Sequence, residues 1–176
     1  MNDTLAALTA EIRSRVEDLG YELWDLRRRG SGKRISLQVR VDRPDAAPGR
    51  GITIDECAAV SRALEEWLDE EQPLGARYVL EVSSPGIERP VRWREHWERF
   101  AGRQVQVKRV GHPRMRATVV AMLGDADAVV LRPIDGGQDM TVPLEEISEA
   151  TLAVDWTAVE RSMADAPRNE QAKEQE

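Results

Sequence analysis

The side chains that could act as a nucleophile with a base are one cysteine, Cys57, and two histidines, His96 and His112. A thiol attacks a substrate when a neighbouring base or a lowered pKa supplies the thiolate. Cys57, however, falls on the apolar stripe of a predicted helix, where a small side chain is expected to pack in the core. We therefore predict no enzyme activity and no catalytic residues, and we keep a thiol enzyme that uses Cys57 as a rival hypothesis.

Metal and cofactor chemistry has little support in the sequence. Neither histidine has an Asp, Glu or His at the spacing of a metal site, and a single cysteine cannot form a thiolate metal centre alone. Gly30-Ser31-Gly32 lacks the later glycine of a dinucleotide-binding loop and connects two predicted strands. We expect no metal and no cofactor.

A basic stretch stands out against the formal net charge of −7, which argues against a protein that binds nucleic acid with its whole surface. Residues 89–116 hold eight arginines and one lysine against two glutamates. Unpaired cations attract RNA phosphates, and arginine adds bidentate hydrogen bonds. The residues predicted to contact RNA or a protein partner are Arg92, Arg94, Arg103, Lys108, Arg109, Arg114 and Arg116. The alternative is a mixed-charge surface in which such cations pair with Glu95, Glu98, Glu145 and Glu146.

Two other groups of residues also have two interpretations each. The acidic run at residues 65–71 is either a docking surface for a basic protein or a solvated helix face. Tryptophans can stack on bases, but the helical spacing of Trp93, Trp97 and Phe100 favours packing in a core.

The elements that position these residues begin with an alternation of helices and strands. Apolar residues step by three and four over residues 4–19, which predicts an amphipathic helix. Residues 21–41 read as a hairpin, since apolar and polar residues alternate in its second strand. Thr53 and Glu56 have the spacing of a capping box that starts a second helix, and residues 76–82 form a third strand. Two helices on a three-stranded sheet make an N-terminal α/β domain.

The second half is predicted to be a β domain. After a short helix, apolar residues recur in five short β-branched runs separated by turn signals. Short antiparallel strands of this kind are commonly closed into a small barrel, which removes exposed edges. We therefore predict an α+β fold with a C-terminal SH3-like or Sm-like barrel. The predicted divisions are 1–84 for the N-terminal α/β domain, 85–92 for an interdomain hinge, 93–156 for the barrel and 157–176 for a disordered tail.

No apolar run is long enough for a membrane span or for the core of a secretion signal. We expect a cytoplasmic protein that does not contact membranes.

The segment that joins the two halves carries the most specific pattern, and residues 78–90 read YVLEVSSPGIERP. A strand stops at the two serines, the Pro-Gly pair imposes a turn, and Arg-Pro leads into the second half. This run closely resembles the signature of the bacterial ribosome maturation factor RimP family. Residues 53–57 and 96–102, together with Ile147, Ala150 and Leu152, also resemble family motifs. The residues assigned to the interdomain junction and to partner binding are Ser83, Ser84, Pro85, Gly86, Arg89 and Pro90.

The resemblance implies an N-terminal α/β domain, a C-terminal Sm-like barrel, no enzyme activity and no cofactor. It further implies a ribosome maturation factor required for assembly of the small (30S) ribosomal subunit, which binds free or immature small subunits through ribosomal protein twelve. We expect 16S rRNA as a further partner and a monomeric protein. The alternative function is a stand-alone Sm-like RNA-binding regulator, whose RNA binding would depend steeply on salt.

Overall fold

Two β-sheets divide the strands of the protein between them. The structure is a computed structural model that describes residues 2–30, 35–46, 50–75, 77–124 and 126–154. We refer to residues 2–83 as the N-terminal unit and to residues 91–154 as the C-terminal unit. The N-terminal unit contains α1 (Asn2–Asp18), β1 (Glu22–Arg29), β2 (Ile35–Asp42), α2 (Ile54–Glu71) and β3 (Tyr78–Ser83). The C-terminal unit contains α3 (Arg94–Arg99), β4 (Gln104–Arg109), β5 (Met115–Leu123), β6 (Ala128–Pro133), β7 (Met140–Pro143) and β8 (Ile147–Leu152).

The two long helices form where the sequence predicts them. In α1 the apolar stripe buries Leu8, Ile12 and Val16. The capping box of α2 is confirmed, because Thr53 Oγ1 accepts the Glu56 N–H and the Glu56 carboxylate accepts the Thr53 N–H. These bonds satisfy two of the amide donors that a helix start leaves without partners.

The predicted three-stranded sheet is confirmed, with strand order β1-β2-β3. Strands β1 and β2 pair antiparallel, whereas β2 and β3 pair parallel, with α2 as the crossover between them. The buried side chains of β2 alternate with half-buried ones, so one face of the sheet packs against the helices. Its core residues include Leu37, Val39 and Val41 from β2 and Val60 and Leu64 from α2.

The five antiparallel strands of the C-terminal unit are also confirmed, in the order β7-β6-β5-β4-β8. Trp97 of α3 is buried in the core of this sheet with Val105, Val107 and Leu131. The last strand begins at Ile147, where the apolar alternation is interrupted because Ser148 and Glu149 are both exposed.

The prediction of a closed barrel is wrong. Strands β7 and β8 are the two ends of the sheet, and no ladder joins them in the described part of the chain. A short 3-10 turn (Leu144–Glu146) separates these two strands, and β8 turns back onto β4 instead of pairing with β7. The outer edge of β8 is covered by the segment that enters the unit, since the Leu152 N–H donates to Arg89 O and the Val91 N–H donates to Ala150 O. The backbone groups on the outer edge of β8 are therefore covered by pairing with this segment and not by closure of a barrel.

Some predictions fall outside the described residues. They include the hairpin positions Ser31 and Gly32 and the disordered tail at 157–176. The predicted domain boundaries stay predictions. Within the described residues, none of the helices combines the length and the apolar character needed to span a bilayer.

Candidate functional site: the junction between the two units

The predicted junction residues follow β3 along the chain. Ser83 and Ser84 are exposed, whereas Pro85 is buried. Gly86 has a φ of +77° and is exposed, and no atom lies within 4 Å of the place where a Cβ would stand. The backbone conformation, and not a lack of space, therefore favours glycine at this turn.

The next part of the junction is an added strand-like segment. Pro90 forms an isolated antiparallel bridge with Thr151 of β8. Proline is tolerated in this position because an edge segment needs donors on one side only. The flanking hydrogen bonds of Arg89 and Val91 to β8 are both 2.9 Å. The junction segment is thus part of the C-terminal sheet, and its orientation is fixed to that sheet.

Trp24 connects this segment to the N-terminal sheet. It is the extra residue of a bulge in β1, where the register with β2 shifts between Leu23 and Asp25. A bulge redirects a side chain, and here it leaves the indole 1% exposed between the two units. Its Nε1–H donates to Pro90 O at 2.9 Å, and its ring stacks on His96 of α3 with centroids 4.7 Å apart.

Three arginines from the C-terminal side of the chain form ion pairs with carboxylates of the N-terminal unit. Arg89 lies 2.8 Å from Asp42 Oδ2, and Arg92 NH1 lies 2.7 Å from Asp25 Oδ1. Arg99 of α3 makes a bidentate pair with Glu22, at 2.8 and 3.0 Å. Arg13 and Glu95 form a fourth ion pair across the junction, at 2.9 Å. The guanidinium groups of Arg89 and Arg99 lie over the Trp24 ring, at 4.9 and 5.3 Å from its centroid.

The carboxylates at the centre of these contacts, Asp25 and Asp42, are each 1% exposed. Asp42 Oδ1 accepts the N–H groups of Arg43 and Ile52, both at 2.9 Å, so the same carboxylate holds the loop before α2 and the junction arginine. A buried charge is tolerated when it is paired and hydrogen-bonded. The sequence reading did not single out Asp25. The available signal was an aspartate inside an apolar strand, a residue that strands disfavour.

His96 completes the buried part of the junction and is 1% exposed. Its Nδ1 accepts the Arg92 backbone N–H at 3.2 Å. Burial disfavours the charged ring and lowers the pKa of His96 to about 4 from its ordinary 6.5. The ring is therefore neutral at pH 7, which allows it to stack on Trp24 without bringing a charge into the interface.

The predicted contact residues of the basic stretch separate into two sets. Arg92, Arg94 and Arg114 are held in ion pairs, with Asp25, Glu98 and Glu149 respectively. The other set consists of Arg103, Lys108, Arg109 and Arg116, which form no ion pair within the ranges that the structure describes. Glu145 and Glu146 form no ion pair in those ranges either. The first set is therefore part of a mixed-charge surface, and contact of the second set with RNA or a protein partner stays a prediction.

Two of the unpaired cations lie on the outer face of the C-terminal sheet. Lys108 and Arg116 are exposed, and they alternate with Val107 and Ala117, which are buried on the inner face. Arg116 faces Gln106 across the β4–β5 pair, so the two strands present one polar surface. We call Gln106, Lys108 and Arg116 the outer-face set.

The side chains considered for catalysis are not arranged for it. Cys57 is half-buried against the N-terminal core, and its thiol pKa is raised, first by burial and then by Glu56 and Asp42. A raised pKa reduces the thiolate fraction that a nucleophile needs. Across the described ranges, no group of three or more His, Cys, Asp or Glu side chains is placed to hold a metal ion.

Asp69 of the acidic run and the tryptophans contact other parts of the same chain. Asp69 accepts the Tyr78 hydroxyl at 2.7 Å, which ties the acidic run on α2 to β3. The Trp67 ring is covered by Arg15 at 4.4 Å. Trp93 packs partly buried against the N-terminal core, although it belongs to the C-terminal unit. Trp24 and Trp97 are buried and have no face free for a base.

The fold and the junction define a class of protein: a mixed α/β unit with a three-stranded sheet, joined through a buried, ion-paired junction to a five-stranded antiparallel unit. A family model described as the RimP N-terminal domain matches residues 11–88, from within α1 to the junction segment. The match confirms the resemblance to the RimP family for residues 11–88, the part of the chain that the family model covers.

Proposed function

We propose that this protein is a maturation factor for the small ribosomal subunit, which binds free or immature small subunits through ribosomal protein twelve and 16S rRNA. The observation that carries the proposal is the match of residues 11–88 to the RimP N-terminal domain. In this proposal the protein acts as a cytoplasmic monomer, by binding and without catalysing a reaction.

The junction supports a role in which both units contribute to one binding surface. A buried tryptophan, a neutral histidine and ion pairs of 2.7–2.9 Å connect the units. Binding to a preorganised surface avoids the entropy of ordering two separate domains. The residues from Ser83 to Pro90 would thus act by fixing the angle between the two units.

The cations without ion pairs give the proposal a contact surface for rRNA. Lys108 and Arg116 stand on the outer face of the C-terminal sheet, and their charges are available for phosphates. In contrast, the Arg89 side chain is only 19% exposed and pairs with the buried carboxylate of Asp42. The outer-face set is therefore the first region of the C-terminal unit to test for contact.

Co-sedimentation with purified ribosomal subunits tests the proposal. The full chain is expected to pellet with free small subunits and to stay in the supernatant with large subunits. Small subunits depleted of ribosomal protein twelve should bind it more weakly. Lys108→Gln with Arg116→Gln should weaken pelleting, while Arg62→Gln, an exposed position on α2, serves as the control. A wild-type chain that pellets equally with both subunits, or with neither, would contradict the proposal.

A further inference from the structure

The face of the N-terminal sheet that points away from the helices carries an arginine cluster, of which the sequence indicated only Arg92 as a contact residue. In β2, Leu37 and Val39 are buried against the helices, and Gln38 and Arg40 alternate with them on the opposite face. Arg40 stands beside Asp25 of β1, and Gln38 stands beside Arg27. Arg92 reaches the same aspartate from the junction. We call Arg27, Arg40 and Arg92 the Asp25 arginine cluster.

One carboxylate is shared by these three guanidinium groups. Asp25 Oδ2 lies 3.0 Å from Arg27 Nε and 3.8 Å from Arg40 NH1, and Asp25 Oδ1 lies 2.7 Å from Arg92 NH1. Since one negative charge faces three positive charges, the cluster keeps a formal charge of +2. Glu81, which lies beside Gln38 on this face, accepts the neutral Gln38 side-chain amide at 2.8 Å and keeps its negative charge, so the face as a whole stays positive by one charge.

The excess charge is accessible to solvent while the aspartate is not. Asp25 is 1% exposed, whereas the side chains of Arg27, Arg40 and Arg92 are 34%, 33% and 43% exposed. A guanidinium has five N–H donors in a fork that matches phosphate oxygens. Arg27 uses its Nε on Asp25, and the contact of Arg40 at 3.8 Å is longer than a hydrogen bond, so most of the donors in the cluster remain for a ligand.

We propose that the Asp25 arginine cluster is a binding site for the phosphodiester backbone of RNA. The buried aspartate orients the three guanidinium groups, and their free donors and surplus positive charge suit the oxygens of an RNA phosphate. The site spans both units, because Arg92 belongs to the C-terminal unit and the other two arginines to β1 and β2. This inference rests on the proposed function, for which it names the chemistry of the partner at this face.

The experiment measures binding of a 20-nucleotide unstructured RNA by fluorescence anisotropy, over a range of salt concentrations. The test variant is Arg27→Gln with Arg40→Gln, in which Arg92 still pairs with Asp25, so that thermal unfolding should show a folded protein. The matched control removes two exposed arginines elsewhere, Arg62→Gln with Arg77→Gln. The test variant should bind the RNA about tenfold more weakly than the wild type. The slope of the logarithm of its association constant against the logarithm of the salt concentration should be shallower by about 1.4, while the control keeps the wild-type slope.

Three results would overturn the proposal: no measurable binding by the wild type at low salt, equal losses in test and control variants, or equally tight, equally cluster-dependent binding of poly-L-glutamate. The last result would assign the cluster to an acidic protein surface. Co-sedimentation separates these failures from failure of the proposed function. A wild type that pellets with small subunits while the RNA test fails keeps the function and removes the phosphate site.

Discussion

The junction and the outer face of the C-terminal sheet use the same kind of side chain for different purposes. At the junction, Arg89 ends at Asp42, a carboxylate that is 1% exposed and pairs with no other cation in the described part of the chain. On the outer face, Lys108 and Arg116 are exposed and have no ion pair among the described residues. Charge count alone does not separate these groups. What separates them is a buried carboxylate that pairs with a single arginine, which makes that arginine a part of the protein's own structure and leaves no surplus charge for RNA.

The largest expected effect in this comparison is that of Trp24→Ala. The indole is buried between the units, and large-to-small substitutions of buried aromatic residues cost about 3–5 kcal/mol. Urea unfolding should therefore show a large loss of unfolding free energy. Trp24→Phe, which keeps an aromatic ring but loses the hydrogen bond to Pro90, should lose less. Equal, small losses in both variants would show that the junction does not depend on this side chain.

A pH dependence from His96 is the next largest effect. Its pKa of about 4 in the folded protein lies below the ordinary 6.5, so the unfolded chain binds the proton more readily. The stabilisation is complete above pH 6.5 and is lost as the pH falls towards 4, with a total on the order of 3 kcal/mol.

The measurement is the unfolding free energy of the wild type and of His96→Gln between pH 7 and pH 4.5. The wild type should lose stability more steeply as the pH falls, because the variant lacks the titrating ring. Identical slopes in the two proteins would contradict the prediction.

Arg89→Met is expected to have an intermediate effect. It removes the cation that faces Asp42, although two backbone N–H groups still bind the carboxylate. We expect a loss of about 2 kcal/mol in unfolding free energy, because the substitution leaves a buried carboxylate oxygen without its cation. Arg103→Met, at an exposed position, is the control. If the control loses as much stability as the test variant, the contrast between paired and free arginines fails.

The smallest effect on stability is predicted for the outer-face set. Lys108→Gln with Arg116→Gln should change the unfolding free energy by less than about 0.5 kcal/mol, because both positions are exposed surface sites. The same double variant should bind small subunits more weakly. A folded double variant with wild-type binding would remove the outer face from the contact surface.

The sequence predicted local elements well because their signals are local. The apolar stripe of α1, the Thr53–Glu56 capping box and the alternation of β2 each depend on neighbours within a few residues. The junction could not be predicted in the same way. Trp24 is 66 residues from the Pro90 carbonyl that it binds, and Asp25 is 67 residues from Arg92, so only the folded chain brings them together.

The barrel prediction failed for a related reason. Apolar runs and turn signals predict the number of strands. Closure of the sheet into a barrel depends on whether the last strand, β8, pairs with β7 at the opposite edge. Here the edge of β8 pairs with Arg89 to Val91, a segment that precedes all five strands of the C-terminal sheet in the sequence. A pattern of alternating residues carries no information about that pairing.

The measurement that tests the central claim most directly is the ribosomal profile of cells that lack the gene for this protein. The account predicts fewer mature small subunits, free large subunits in excess and accumulation of unprocessed 16S rRNA, all restored by the wild-type gene. Subunit ratios and rRNA processing that match those of the parent strain would contradict the assignment as a small-subunit maturation factor.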